Sequence, residues 1–430
     1  MPSRTAAAVV ALTVLAGALV SVGVTGPHHA HVDLYAEGVV LTPAGPESVA
    51  AGATPDLHPG TRVAADPSSS ADDDLAAGQR AWLASGTVPG AGGPYQDLVT
   101  DALLDLRTLV LDDGAAVAAW TPYWRYVWPR DASFVAVALA RTGHLDDAVE
   151  VLGFLDRVQG ADGSFQARYL PDGSGDVPDD RGAQTDGTGW ALWAAGEVVD
   201  AAPRAEQAEV VDALSGLVRR SAAHATALVA GDGLPPASPD YWEVAETELT
   251  LGTVAPLLAG LEAAGPLLDR LDDPAAAADA REAAALTRSA VEEEFGGGTV
   301  PWGRYAGAGP ADAASAFVLP PFQPEPLTGA TAAWLASADA MARPAGGVAP
   351  GAAWKQDGIS WTPQTSLYAL TAAANGRTDD ARARLDWLGA HRTAMGALPE
   401  KVLADGSPAA VAPLAWSAAC VVLAVDALDG

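Results

Sequence analysis

The feature that most constrains the fold is a helical hairpin that recurs about every 55 residues. From Leu75 onward, alanine-rich and leucine-rich stretches alternate with Gly, Pro and Asp loops, and β-type alternation is almost absent. The pattern predicts twelve helices in six pairs: 95–112 with 131–142, 145–158 with 186–200, 203–230 with 244–263, 274–295 with 312–319, 328–342 with 361–375, and 378–391 with 414–428. One hairpin cannot bury its own apolar face, so six that close on one another predict an all-α protein, an (α/α)6 barrel.

Polar and aromatic loops precede the second helix of every pair. One residue taken from each loop gives spacings of 49 to 69 residues, and these residues are Asp131, Asp186, Glu243, Asp312, Trp361 and Trp416. Because every loop stands before the N-terminus of an inner helix, all six are expected at one rim of the barrel. A pocket at that rim is the expected active site, and Asp312, Trp302, Trp354 and Trp361 are further candidates to line it.

The first 74 residues do not fit the hairpin repeat. In residues 1–26, Arg4 precedes an uncharged apolar run, which predicts either a cleaved export signal or membrane attachment through residues 5–26. Residues 27–74 are rich in Pro, Gly, Ser and Asp and predict a linker with one short strand. The catalytic barrel would occupy residues 75–430, and the protein would be extracytoplasmic, either secreted or anchored to a membrane.

The composition excludes several classes of partner. A net charge of −30 repels phosphate backbones, so nucleic acid is not an expected partner. The single cysteine, Cys420, cannot form an intramolecular disulfide, and no metal cluster appears in the sequence, so we expect neither a metal nor a cofactor. Tryptophan, with 13 residues, outnumbers tyrosine with 8 and phenylalanine with 6, which favours a ligand that stacks on flat faces.

The segment from Trp120 to Asp131 concentrates side chains that suit a sugar. It contains Trp120, Tyr123, Trp124, Tyr126, Trp128, Arg130 and Asp131. Arg130 offers a fork of donors beside a carboxylate that accepts two hydrogen bonds, a combination that suits a ring with neighbouring hydroxyls. The alternative interpretation is a surface ion pair with aromatic packing.

Two glutamates in different rim loops form the candidate catalytic pair. Glu243 follows Tyr241 and Trp242, whose rings would shield its carboxyl from water and favour the protonated form that a general acid needs. Glu400 precedes the last inner helix and would act as the base, with Lys401 favouring its ionised form. Two such carboxylates could flank a glycosidic bond with a water between them. The structural alternatives are a glutamate at a helix start and a surface Glu-Lys pair.

Four dispersed motifs carry a resemblance to a known family. They are Tyr126-Val-Trp128-Pro-Arg130-Asp131, Gly163-Ser-Phe-Gln with Gln184-Thr-Asp186-Gly187, Asp240-Tyr-Trp-Glu243, and Leu398-Pro-Glu400 with Pro413-Leu-Ala-Trp416-Ser417. In order and spacing, across about 350 residues, they resemble the substrate, general-acid and base segments of glycoside hydrolase family 15. That family contains glucoamylases, glucodextranases and bacterial trehalases.

The resemblance implies an inverting, exo-acting hydrolase of α-glucosidic bonds that needs no cofactor. It implies that Glu243 protonates the leaving oxygen while Glu400 activates a water on the opposite face of the sugar. The residues expected to contact an oligosaccharide or disaccharide substrate are Trp128, Arg130, Asp131, Trp242, Trp124, Trp120, Gln184 and Asp186. Val244 after the acid and Lys401 after the base replace the Glu and Gln of many members, so the linkage preference stays open.

Other functions remain as alternatives. A barrel that had lost turnover would act as a carbohydrate-binding protein, and the departures at Val244 and Lys401 allow that interpretation. A phosphorylase would need a basic phosphate site, and the chain has only two lysines, Lys355 and Lys401. A lyase would more naturally use Tyr or His as its base.

Overall fold

The structure is a computed structural model that describes residues 29–65, 69–307 and 309–430. Residues 1–26, for which the sequence predicts a signal or an anchor, lie outside the described residues. Helices form most of the described chain, and their bounds are α1 Ser70–Ser85, α2 Gln96–Leu109, α3 Pro129–Arg141, α4 Leu145–Val158, α5 Asp186–Ala201, α6 Gln207–Ala213, α7 Ser215–Val229, α8 Leu251–Arg270, α9 Pro274–Gly296, α10 Ala330–Met341, α11 Thr362–Ala374, α12 Thr378–Ala390 and α13 Ala415–Asp429. A 3-10 helix spans Ala313–Val318.

Short strands form two small sheets. β1 (Gly38–Thr42) and β2 (Gly45–Val49) make an antiparallel hairpin. β3 (Ser360–Trp361), β4 (Lys401–Val402) and β5 (Pro408–Ala409) make an antiparallel sheet with β4 in the middle. The second sheet therefore connects the segment before α11 with the segment before α13.

Six inner helices close into a ring, as the barrel prediction expects, but the predicted pairs are wrong, because each outer helix packs mainly on the inner helix before it in the ring and not on the one that follows it in sequence. Each inner helix contacts the next in the order α3, α5, α8, the 3-10 helix, α11 and α13, and α13 returns to contact α3. One outer helix packs on each inner one: α4 on α3, α7 on α5, α9 on α8, α10 on the 3-10 helix, α12 on α11 and α2 on α13. The aromatic rings that fill the centre of the ring are Phe134, Trp190, Trp193, Phe317, Phe322 and Trp416.

Small and apolar residues let the inner helices approach closely. A Cβ on Gly189 of α5 would lie 2.2 Å from the carbonyl oxygen of Pro256 in α8, so only glycine permits this contact. Among the described helices, α8 has the length and hydropathy to cross a bilayer, yet 83% of its most apolar window is buried inside the barrel. Its apolar character is explained by its place in the ring.

Two helical predictions needed correction in their internal structure. The single helix predicted over 203–230 is two helices, α6 and α7, because the backbone leaves the helical region at the buried Leu214. The Ser215-Gly216 pair that follows has low helix propensity. The element predicted over 312–319 is a 3-10 helix of six residues whose N-terminus is capped by the Asp312 side chain.

The helix predicted over 244–263 begins later and ends later than expected. α8 starts at Leu251, after Thr250 accepts a hydrogen bond from the Thr253 backbone N–H as its N-cap. The preceding residues form turns and bends, and Glu246 among them pairs with Arg304 at 2.6 Å, a long-range contact that replaces local helical bonding. Glu243 therefore lies in a loop and not at a helix start.

The segment whose composition predicts a linker packs against the barrel over residues 29–65. Leu34 forms a parallel bridge with Ala410, where the Tyr35 backbone N–H donates to the Ala410 carbonyl at 2.7 Å. Farther along, Arg62 and Asp105 of α2 form a buried ion pair at 2.5 Å. The segment thus lies on the barrel surface, and α1 begins at Ser70.

Candidate active site

A cavity of about 840 Å³ opens at the rim where five of the six inner helices begin. Its wall combines residues from the loops before α3, α5, α8, α11 and α13, as the position of the polar loops predicts. The expected site residues that line it are Trp124, Trp128, Arg130, Asp131, Trp242, Glu243 and Glu400. Residues separated by more than 250 positions in sequence therefore meet in one cavity.

Helix α3 places Arg130 and Asp131 in the cavity wall. Pro129 occupies the first turn, where its fixed φ suits a helix start, and both side chains are buried. Arg130 Nη2 lies 3.0 Å from Asp131 Oδ2, and the guanidinium lies 4.6 Å from the centre of the Trp416 ring. Burial raises the pKa of Asp131, and the adjacent guanidinium offsets this only in part. Arg130 Nε and Nη1 make no hydrogen bond to the described protein atoms, so donors remain for a ligand.

The structure places Gln184 and Asp186 behind this wall and not on its surface. Both are buried next to Trp128 and Arg130 on the side away from the main cavity. The indole N–H of Trp190 donates to Asp186 Oδ2 at 3.3 Å, and burial raises the pKa of Asp186 to about 7. These two residues therefore support Arg130 from behind.

Trp120 does not line the cavity either. Its half-buried ring lies under the Arg125 guanidinium at 4.1 Å, and its carbonyl accepts a hydrogen bond from the Ser48 hydroxyl. Trp120 thus joins the rim to strand β2. The structure also corrects the expectation for Asp312 and Trp302, which are fully buried outside the cavity lining.

A buried ion cluster supports the loop that carries Glu243. Arg304, only 1% exposed, lies 3.0 Å from Asp240, 3.2 Å from Asp312 and 2.6 Å from Glu246. The Tyr241 hydroxyl donates to Asp312 Oδ1 at 2.5 Å. Three carboxylates around one guanidinium are compensated only while that guanidinium is present, so this cluster determines the position of the loop.

The loop ends in a tight turn at Glu243. The Glu243 backbone N–H donates to the Asp240 carbonyl at 2.7 Å, and Glu243 has a φ of +54°. A positive φ is unfavourable for a residue with a Cβ and is maintained by surrounding contacts. Trp242 contributes to them, with its ring 3.7 Å from the Arg304 guanidinium and edge-on to Trp354 at 4.8 Å.

Cations face the Glu243 carboxylate, whereas the sequence predicts aromatic shielding. Arg181 Nη1 contacts Glu243 Oε2, and Arg130 Nη2 lies 3.6 Å from Oε1. The Tyr241 hydroxyl donates to Asp312 instead, and the Trp242 ring packs on the Arg304 guanidinium. The sequence interpretation missed Arg181 and its neighbour Arg168, which also lines the cavity. A signal existed, because both arginines flank Asp179 in the loop before an inner helix of a strongly acidic chain.

Glu400 lines the same cavity from the loop before α13. Lys401 Nζ lies 3.0 Å from Glu400 Oε2 and 4.4 Å from the centre of the Trp361 ring, so the two neighbours form the expected pair. The Glu400 N–H donates to the Val411 carbonyl at 2.8 Å, and its carbonyl accepts from the Thr362 N–H at 3.1 Å. The backbone of Glu400 is therefore fixed by the sheet around β4.

Tryptophan indoles supply much of the remaining wall. Those that line the cavity and whose Nε1 makes no hydrogen bond to the described protein atoms are Trp128, Trp242, Trp354, Trp361 and Trp416. Tyr35 of the N-terminal segment completes the mouth, tilted toward Trp124 at 6.0 Å. Flat faces beside polar N–H groups suit a ring that carries hydroxyls on its edge. Within the described residues, no group of three or more His, Cys, Asp or Glu side chains is placed to hold a metal ion.

Comparison with solved structures agrees with the predicted resemblance at the level of the fold. A glycosidase is 24% identical with a TM-score of 0.64, and the match covers 77% of this chain and 96% of that one. A bacterial glucoamylase complexed with acarbose is 16% identical with a TM-score of 0.65, over 83% of this chain and 58% of that one. The family 15 glucoamylase of Hypocrea jecorina is 14% identical with a TM-score of 0.59, over 78% and 71%. The barrel is the fold of glycosidases that include family 15 glucoamylases.

Sequence comparison adds one short match. An uncharacterized glycosyl hydrolase of Methanocaldococcus jannaschii is 36% identical over 95 residues. Those residues span 22% of this chain and 15% of the archaeal protein. No protein-family model matches the chain.

Proposed function

We propose that this protein is a glycoside hydrolase that removes α-glucosyl units from the non-reducing end of an oligosaccharide or disaccharide, with inversion. The observation that carries the proposal is the meeting of Glu243 and Glu400, from separate loops, in one cavity with the buried Arg130 and Asp131. A pair of carboxylates across a sugar site is the arrangement that glycosidic bond hydrolysis needs.

Each of these residues has a defined task in the proposed reaction. Arg130 and Asp131 hold hydroxyls of the terminal sugar, which positions its anomeric carbon between the two glutamates. Glu243 transfers a proton to the leaving oxygen, and Glu400 accepts a proton from the water that attacks the opposite face. The product of an α-glucoside would then be β-glucose.

The closed lower end of the cavity supports exo action. Trp416 and Tyr241 line the cavity, and their rings rest on Phe134 and Phe317 of the filled ring centre. A blind pocket of this kind admits the end of a chain and excludes its middle.

The solved relatives support a sugar ligand and the glutamate pair. One glycosidase variant is in complex with glucose, and the bacterial glucoamylase holds acarbose. Two variants of that glycosidase replace a glutamate by alanine, and those two positions are separated by the same number of residues as Glu243 and Glu400.

The decisive experiment follows product anomers by NMR during incubation with maltose, isomaltose, trehalose and longer α-glucans. We expect prompt β-glucose from the wild type and loss of activity in Glu243→Gln and Glu400→Gln. Glu262→Gln is the matched control, since Glu262 pairs with Arg288 at 2.8 Å with similar exposure. Full activity in either site variant contradicts the assignment, and binding without cleavage by the wild type favours a carbohydrate-binding protein.

Export is part of the same proposal. The apolar run in residues 1–26 would direct the chain out of the cytoplasm, either cleaved or retained as an anchor. Expression of the full chain in a secreting bacterial host, followed by N-terminal sequencing of the medium and membrane fractions, tests this. An intact chain in the cytoplasmic fraction alone contradicts it.

A further inference from the structure

Arg181 covers the carboxylate that the proposed reaction uses as its acid. Arg181 Nη1 contacts Glu243 Oε2, and Arg181 Nε donates to Asp179 Oδ2 at 3.2 Å. The Arg181 side chain is 40% exposed and the Glu243 side chain is 20% exposed, so the pair stands at the mouth of the cavity. One guanidinium thus bridges two carboxylates at the entrance.

This arrangement conflicts with the chemistry expected of an acid. Arg181 contacts Oε2 of the Glu243 carboxylate and Arg130 Nη2 lies 3.6 Å from Oε1, so both oxygens face cations. A general acid must instead hold a proton and approach the leaving oxygen within hydrogen-bond distance. Arg181 contacts Oε2 of this carboxylate, so the structure shows Glu243 paired with a cation.

Asp179 is an alternative ion-pair partner for Arg181. The carboxylate of Asp179 also accepts a hydrogen bond from Arg168, whose guanidinium is buried. Arg168 in turn donates to the Tyr123 carbonyl at 3.0 Å and lies 5.0 Å from the centre of the Trp128 ring. Asp179 is therefore fixed by the cavity wall and can retain Arg181 after the contact with Glu243 is broken.

We propose that Arg181 is a displaceable counter-ion of Glu243. In the free protein Arg181 pairs with Glu243; when a sugar enters, Arg181 moves wholly to Asp179, and Glu243 takes a proton from solvent. That proton then passes to the glycosidic oxygen as the bond to the anomeric carbon breaks, while Glu400 receives the proton of the attacking water. The inference rests on the proposed function and assigns Arg181 as a positioning residue. An ion pair this exposed is weak enough for sugar hydroxyls to displace.

Other charged groups surround the site of this exchange. Arg130 and Asp131 of α3 lie beside it, Arg168 and Glu400 line the same cavity, Asp179 pairs with Arg181, Lys401 pairs with Glu400, and Asp240 of the same loop pairs with Arg304. Arg181 differs from them in being exposed and in having an alternative carboxylate. Removal of Arg181 should therefore change the free site and leave the occupied site unchanged.

The two pH profiles of Arg181→Gln test the exchange. The profile of kcat/KM reports the free protein, and the profile of kcat reports the occupied one. We expect the alkaline limb of kcat/KM to move upward by about one pH unit, as removal of a contacting cation would cause, while the alkaline limb of kcat stays in place. Arg219→Gln, which removes a similarly exposed arginine from its pair with Asp273, is the control and should move neither. Equal movement of both limbs, or of neither, overturns the proposal.

A second variant tests the role of Asp179. Asp179→Asn removes the alternative partner, so kcat/KM should fall about fivefold, and adding Arg181→Gln should restore most of the loss. No fall, or no restoration in the double variant, overturns the exchange. If the wild type cleaves α-glucosides and Glu243→Gln does not, an overturning result with the Arg181 or Asp179 variants refutes the Arg181 inference alone. If no α-glucoside is cleaved, the proposed function and the inference fail together.

Discussion

Replacement of Arg304 by methionine should destabilise the protein strongly. Arg304 is 1% exposed and neutralises Asp240 and Asp312, which are both fully buried, and Glu246, whose side chain is 8% exposed. Methionine retains much of the apolar stem against Trp242 but leaves three carboxylates without their cation. Removing one partner of a buried ion pair costs about 3 to 5 kcal/mol of unfolding free energy, so we expect a loss in that range near pH 8.

The loss should shrink at lower pH. Burial already raises the pKa of Asp312 to about 6, above the value of about 3.9 that an unfolded aspartate shows. Protonation therefore favours the folded state as pH falls through 6, and it removes one of the charges that Arg304 would otherwise have to compensate. The cost of Arg304→Met should be smaller at pH 5 than at pH 8.

Urea unfolding followed by tryptophan fluorescence measures both effects. Arg288→Met is the matched control, since Arg288 and Glu262 form a partly exposed pair whose loss should cost less than about 1 kcal/mol. A loss below 1 kcal/mol for Arg304→Met at both pH values would refute the reasoning. So would a larger loss at pH 5 than at pH 8.

Three further outcomes are expected. Gly351→Ala should lower kcat/KM at least about tenfold, because the new Cβ would lie 2.4 Å from the Trp242 ring; Gly389→Ala, which meets nothing within 4 Å, should leave it unchanged in the same assay. Thermal stability should fall as pH rises from about 4 to 7, since the pKa of Asp186 is about 7 when folded and about 3.9 when unfolded, and Asp186→Asn should flatten that slope in melting curves. Activity on maltose or isomaltose should survive dialysis against EDTA, and its loss would reveal a metal requirement.

Most of the helical framework could be predicted because local pattern determines it. Outer helices such as α9 and α12 have one apolar and one polar face, and Gly, Pro or Asp residues lie close to their ends. Their predicted bounds fall within one residue of those observed. The start of α8 could not be predicted in this way. Glu246 falls in the predicted helix but instead pairs with Arg304, a residue nearly 60 positions later. No local sequence pattern indicates that contact.

The site was predictable where a motif carries it and unpredictable where a loop folds back. Glu243, Glu400, Arg130 and Asp131 belong to motifs of fixed spacing and occupy the cavity as expected. Arg181 reaches the cavity from an irregular loop, so its contact with Glu243 depends on how that loop folds. Proximity in sequence was not a reliable guide: Trp120 and Asp186 are close in sequence to site residues, yet Trp120 lies outside the cavity lining and Asp186 lies behind the cavity wall.

The bridge between Leu34 and Ala410 has a consequence for biosynthesis. Ala410 adjoins Val411, whose carbonyl accepts the hydrogen bond from the Glu400 backbone N–H. An early and a late part of the described chain therefore meet beside Glu400. A ribosome that adds about 5 to 20 residues per second needs roughly 20 to 75 s to pass from one side of the bridge to the other. During that interval the segment around Leu34 lacks its partner Ala410, and for nearly all of it the cavity lacks Glu400. A nascent chain therefore gains its complete site only after Ala410 has been added.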